Sequence, residues 1–161
     1  MKKLTTIFIA ALIASLVGCV IWVTLTPDFV EPKKLPAQEI SADNPIWDKS
    51  IDDLAEYLVE QGIIPSTEYT EFSDGIATIA RMYSGVELYW WDVENLEEGS
   101  AEYKSYESAV TDGTIDLWGS GNIMTVTVRG PFAYDAGYYG VEFSSTPEEM
   151  ERAFLDFCKE E

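Results

Sequence analysis

The chain has 161 residues, 47% of them hydrophobic, with 10 basic against 29 acidic side chains and no histidine. That length suits one domain, and a surface this acidic repels phosphate backbones, which argues against nucleic-acid binding. The lack of histidine excludes Ser-His-Asp and Cys-His catalysis, and two cysteines cannot build an ordinary structural zinc site.

From Leu4 to Leu25 the chain runs 22 residues without a charge, preceded by Lys2 and Lys3 and followed by Thr26-Pro27. At ~1.5 Å per helical residue this run can cross a ~30 Å hydrocarbon core. The lysines favour the cytoplasmic side for the N-terminus, so the rest is expected on the extracytoplasmic face of a bacterial-type cell membrane. A second reading competes. Leu16-Val17-Gly18-Cys19 resembles the bacterial lipobox, which implies cleavage after Gly18 and lipid on Cys19. Val20 to Leu25 continues apolar, which a lipidated terminus does not need, and Trp22 suits an interfacial anchor. Residues 1–26 are therefore read as a transmembrane anchor, with a lipoprotein signal as the alternative and a cleaved secretory peptide third. In the first two readings membrane lipid is a partner of the N-terminus.

Residues 27–45 hold four of the seven prolines and show no helical or strand period, so they read as an extended extracytoplasmic linker. The folded α+β domain is expected over 46–161. Its first helix begins at Ser50, with Asp53 completing a capping-box pattern. Ile51, Leu54, Ala55, Leu58 and Val59 form its apolar face, and Gly62 stops it. Ile76 to Tyr83 and Val86 to Val93, split by Ser84-Gly85, read as a hairpin.

Ser100 caps a second helix to about Thr111, with Tyr103, Tyr106 and Val110 as a thin apolar stripe ended by Asp112-Gly113. Thr114 to Trp118 and Ile123 to Arg129 form another strand pair, closed by Gly130-Pro131. Phe132 to Ser144 reads as a loop with a short strand at Val141 to Phe143. The last helix is marked by Thr146 as cap, Pro147 at the first position and Glu149 completing the capping box. Met150, Ala153, Phe154, Phe157 and Cys158 line its apolar face. The order α-ββα-ββα predicts an α+β domain with a mainly antiparallel four-stranded sheet and helices on one face.

No residue pattern marks a catalytic centre, a cofactor or a metal. Gly119-Ser120-Gly121 lies between strands and reads as a hairpin turn rather than a phosphate cradle. Glu87 or Asp92 with Asp116 could supply a carboxylate pair for hydrolysis, but among 29 acids some such pair is always available. Asp92 to Gly99 is rich in oxygen ligands yet lacks EF-hand spacing, and it reads as a solvated loop. Cys158, on an apolar helix face, is expected to behave as a small buried hydrophobe.

The aromatic content carries the one candidate surface. If the strand at Val86 alternates, Val86, Leu88 and Trp90 face the core together with Met124, Val126 and Val128. Tyr89, Trp91 and Arg129 would then share the opposite, partly accessible face, where they could bind a glycan or peptide. Weighed against this is the commoner arrangement, in which these aromatics are covered by the following loop or by the linker. The sequence thus predicts a membrane-tethered extracytoplasmic binding or interaction domain for a protein or cell-envelope glycan. The alternatives are an accessory subunit docking on another membrane protein and, third, a carboxylate-dependent hydrolase.

Overall fold

A computed structural model describes residues 40–72, 75–117, 120–135 and 145–159. The expected anchor with Cys19, linker residues 27–39 and the short strand at 141–143 lie outside the described residues. Among the described residues, no helix is long and apolar enough to cross a membrane.

The elements run α1 (Ile51–Glu60), β1 (Thr70–Glu71), β2 (Ile79–Tyr83), β3 (Val86–Trp90), α2 (Ala101–Asp112), β4 (Thr114–Leu117), β5 (Asn122–Arg129), β6 (Phe132–Asp135) and α3 (Pro147–Phe157). Short 3-10 turns occupy Pro45–Asp48 and Val93–Asn95. The first of these, with Asn44 capping it and Ile40 packed on the core, draws residues 40–45 into the folded body.

The helix ends follow the local chemistry. Ser50 and Asp53 exchange backbone and side-chain hydrogen bonds in a full capping box at α1, and Thr146 and Glu149 do the same at α3. At the far end of α1, Ile63 N–H donates to Leu58 O and Gly62 N–H to Val59 O, the paired bonds of a Schellman stop. Ser100 accepts from Tyr103 N–H at α2, which Gly113 ends in the left-handed region.

The domain is α+β with an antiparallel sheet, but the sheet has six strands rather than four, in the order β1-β2-β3-β6-β5-β4. The hairpin between β2 and β3 turns on Ser84 and Gly85, both at positive φ as a tight two-residue turn requires. The major correction concerns Phe132 to Asp135, expected as a loop, which form the central strand β6 between β3 and β5. All four β6 residues are buried, so no apolar-polar alternation marks the segment as a strand. Gly130-Pro131, expected to end the preceding strand, is the turn that delivers β6. Gly130 sits at φ 55°, a left-handed conformation that favours glycine, and a Cβ there would come within a tight 3.3 Å of Ile46 Cγ2.

The second correction is to the layers. Helices cover both faces of the sheet, because the central strands are apolar on both. On one face α1 and α3 pack over Tyr83, Leu88, Phe132 and Tyr134, with Tyr134 edge-on to Phe154 at 4.9 Å and Phe132 edge-on to Phe157 at 5.6 Å. On the other face α2 packs through Ala109 over Ala80, Tyr89, Trp91, Val126 and Ala133. Ser105 and Ala109, one turn apart, are the buried residues of α2, and their small side chains let the helix sit close to the sheet.

Candidate functional site

The aromatic surface expected from the strand pattern is not formed. Tyr89 and Trp91 share a face, but both are fully buried. Trp91 Nε1–H donates to Ile76 O at 2.9 Å, and its ring lies 6.3 Å from Tyr89 and 5.4 Å from Tyr106. Tyr89 donates its hydroxyl to Glu87 Oε2 at 2.6 Å and meets the edge of Phe72 at 5.8 Å. Arg129 stands on the other face, opposite Phe132 and, across β6, in line with Trp90. The cause is the intervening strand. With β6 between β3 and β5, the pairing sets Tyr89 against Ala133 and Ala133 against Val128, so Val128 rather than Arg129 joins Tyr89.

The expected carboxylate pairs fare similarly. Glu87 is bound to Tyr89, Asp116 Oδ1 accepts from Gly121 N–H at 2.9 Å, and Asp92 Oδ2 accepts from Asn95 Nδ2 at 2.9 Å. Strand parity puts Glu87 and Asp116 on opposite faces of the sheet. Among the described residues no group of three or more acidic or cysteine side chains is gathered as a metal site would need.

A cluster of charged and aromatic side chains surrounds Arg81. Its guanidinium donates to Asp52 Oδ1 at 2.8 Å, Glu71 Oε2 at 3.4 Å and the Tyr83 hydroxyl at 3.4 Å, and lies 4.0 Å from the centre of the Tyr69 ring. Burial disfavours its charge, but the Tyr83 and Asp52 contacts outweigh that and hold its pKa above the ordinary value. Burial raises the Tyr83 hydroxyl in turn, against the pull of Arg81. These contacts reach from β2 to Asp52 on α1 and Glu71 on β1, so the cluster ties the three elements together. The Cys158 thiol is buried and pushed up to about 12 by desolvation, opposed by Arg129 and Lys49, and therefore stays protonated and unreactive at neutral pH.

A concave feature among the described residues lies along the outer side of α2. After β3, Trp91 turns inward and Asp92 N–H donates to Thr78 Oγ1 at 3.0 Å. The 3-10 turn that follows brings Val93 and Leu96 beside α2. Residues Tyr103, Tyr106, Glu107 and Val110 recur at i, i+3, i+4 and i+7 on the facing side of the helix. Together with Thr111 these side chains line a groove of about 210 Å³. Its lining is mainly apolar and open to solvent, with Val110 37% exposed. The Tyr106 hydroxyl donates to Gly130 O at 3.2 Å, and burial raises its pKa, so the ring and not the polar tip faces the groove.

The stripe Tyr103, Tyr106, Val110 was legible in the sequence as one thin apolar helical face, though not as the wall of a groove. The small pair Ser105 and Ala109 on a different face was the signal that another side packs against the sheet. Val93 and Leu96, in what reads as a solvated loop, were not legible as lining. No family model, no curated protein and no solved structure matches the chain.

Proposed function

We propose that this chain is a membrane-tethered interaction domain that docks a protein partner in the groove between α2 and the Val93–Leu96 turn. The observation that carries the reading is the groove itself: about 210 Å³ of mainly apolar lining left open to solvent, enough to take one or two anchoring side chains. The uncharged run from Leu4 to Leu25 and the lysines before it support attachment of residues 1–26 to a membrane with the domain outside the cytoplasm. The proline-rich linker, at about 3 Å per residue, gives the domain a reach of tens of ångströms from the bilayer, which favours partners at the same membrane surface, including other membrane proteins.

The test is a photo-crosslinking residue substituted for Thr111, on the groove's rim, in cells that naturally make the protein. A discrete crosslinked protein that disappears when Val110→Asp is added supports the reading. Crosslinking that is absent, or unchanged by Val110→Asp, overturns it.

A further inference from the structure

The surroundings of the groove carry information about the partner's chemistry. Between Asp92 and Asp112 lie seven carboxylates, Asp92, Glu94, Glu97, Glu98, Glu102, Glu107 and Asp112, against the single cation Lys104. Glu107 lines the groove itself, and Glu94, Glu97 and Glu98 are exposed on the segment that forms its other wall. An apolar floor rimmed by one sign of charge attracts, and is selective for, a ligand of the opposite sign. We propose that the groove's occupant is a basic segment of a partner protein, one that seats one or two apolar side chains on Val93, Leu96, Tyr103 and Val110 and places lysine or arginine against the acidic rim.

A second copy of this chain is disfavoured by the same field. Self-pairing would bring Glu107 and the neighbouring carboxylates against their own copies, a like-charge contact that opposes association. Two of the hydroxyls on the lining are already engaged, Tyr106 with Gly130 O and Thr111 with Glu107 O.

The inference rests on the docking reading above, and its test separates the two. The full chain in an uncharged detergent is titrated with three labelled peptides that share two leucine anchors and differ only in their flanks, which are lysine, serine or glutamate. The lysine peptide should bind about tenfold or more tighter than the glutamate peptide at low salt and lose most of that margin near 0.5 M salt. Val110→Asp, at an exposed helix position, should weaken it by about tenfold, and Glu107→Lys should remove the preference for lysine while leaving the circular dichroism spectrum unchanged. Equal binding of the serine and lysine peptides, both lost in Val110→Asp, would overturn the basic partner and leave the docking site standing. Lysine-peptide binding that neither substitution changes would also overturn it, because the attraction would then be spread over the whole acidic surface.

Discussion

Trp90 and Trp91 are adjacent in sequence and face opposite sides of the sheet, and the structure makes Trp91 the more buried of the two. Its ring is fully enclosed and its indole N–H is satisfied by Ile76 O, whereas Trp90 is half-buried. Trp91→Ala is expected to cost roughly 3–5 kcal/mol and Trp90→Ala distinctly less, as read from urea unfolding midpoints. Equal losses would mean that Trp90 is as fully packed as its neighbour. Asp53 provides a pH-dependent case. Its carboxylate accepts from the Ser50 N–H and hydroxyl, and these bonds hold its pKa below the ordinary value. A carboxylate depressed in the folded state stabilises above its unfolded pKa of about 3.9, and that contribution is lost as pH falls through the lower folded value. Asp53→Asn should therefore unfold more easily than the parent at pH 7 and approach it at pH 3. A constant difference across that range would show that ionised Asp53 does not support the cap.

At the scale of elements, α1 and α3 behave as caps and periodicity require, and their burial matches the apolar faces read from sequence. Phe154 is fully buried on α3, edge-on to Tyr134 of β6. Phe154→Ala should destabilise the domain by roughly 3–5 kcal/mol, visible as a Tm lowered by several degrees or more. An unchanged Tm would mean that α3 contributes little to the fold. The pattern of α2 is different: its small residues Ser105 and Ala109 turn inward, Tyr106 packs against Trp91 at the edge of the core, and Tyr103 and Val110 line the groove. Strand β6 is the element that local pattern misses altogether. Burial on both faces erases the period of two, and its four residues are too short a run to stand out beside the glycine-rich stretch that follows.

At the scale of the whole molecule, the two faces of one antiparallel sheet support two cores, one under α1 and α3 and one under α2. The proposed tether makes a prediction at this scale as well. Protein isolated from membranes should have either the intact mass of the full chain, as for an uncleaved anchor, or the mass of a chain beginning at Cys19 with added acyl groups. Recovery of a fully soluble protein that begins after residue 19 would overturn both modes of attachment. The charge balance acts at this scale too. With 29 acids against 10 bases, the molecule as a whole repels its own copies and other acidic surfaces, and its association rates should fall with salt only toward basic partners.

The sequence by itself determined what depends on neighbours a few residues away. The caps at Ser50, Ser100 and Thr146, the apolar faces of α1 and α3, the Ser84-Gly85 turn and the uncharged run at the N-terminus are all of this kind. Each rests on hydrogen bonds or spacing within about one helical turn or one hairpin, so no distant residue is needed to read it. Tertiary structure alone decided which residues share a face across strands that are remote in sequence. Inserting β6 between β3 and β5 places Val128 beside Tyr89 and turns Arg129 to the opposite side, and a one-residue change of register exchanges every side chain between faces. The same pairing leaves both faces of the central strands apolar. The approach of α2 through Ser105 and Ala109 then buries the aromatics expected at the surface, and it leaves open the groove beside Tyr103 and Val110.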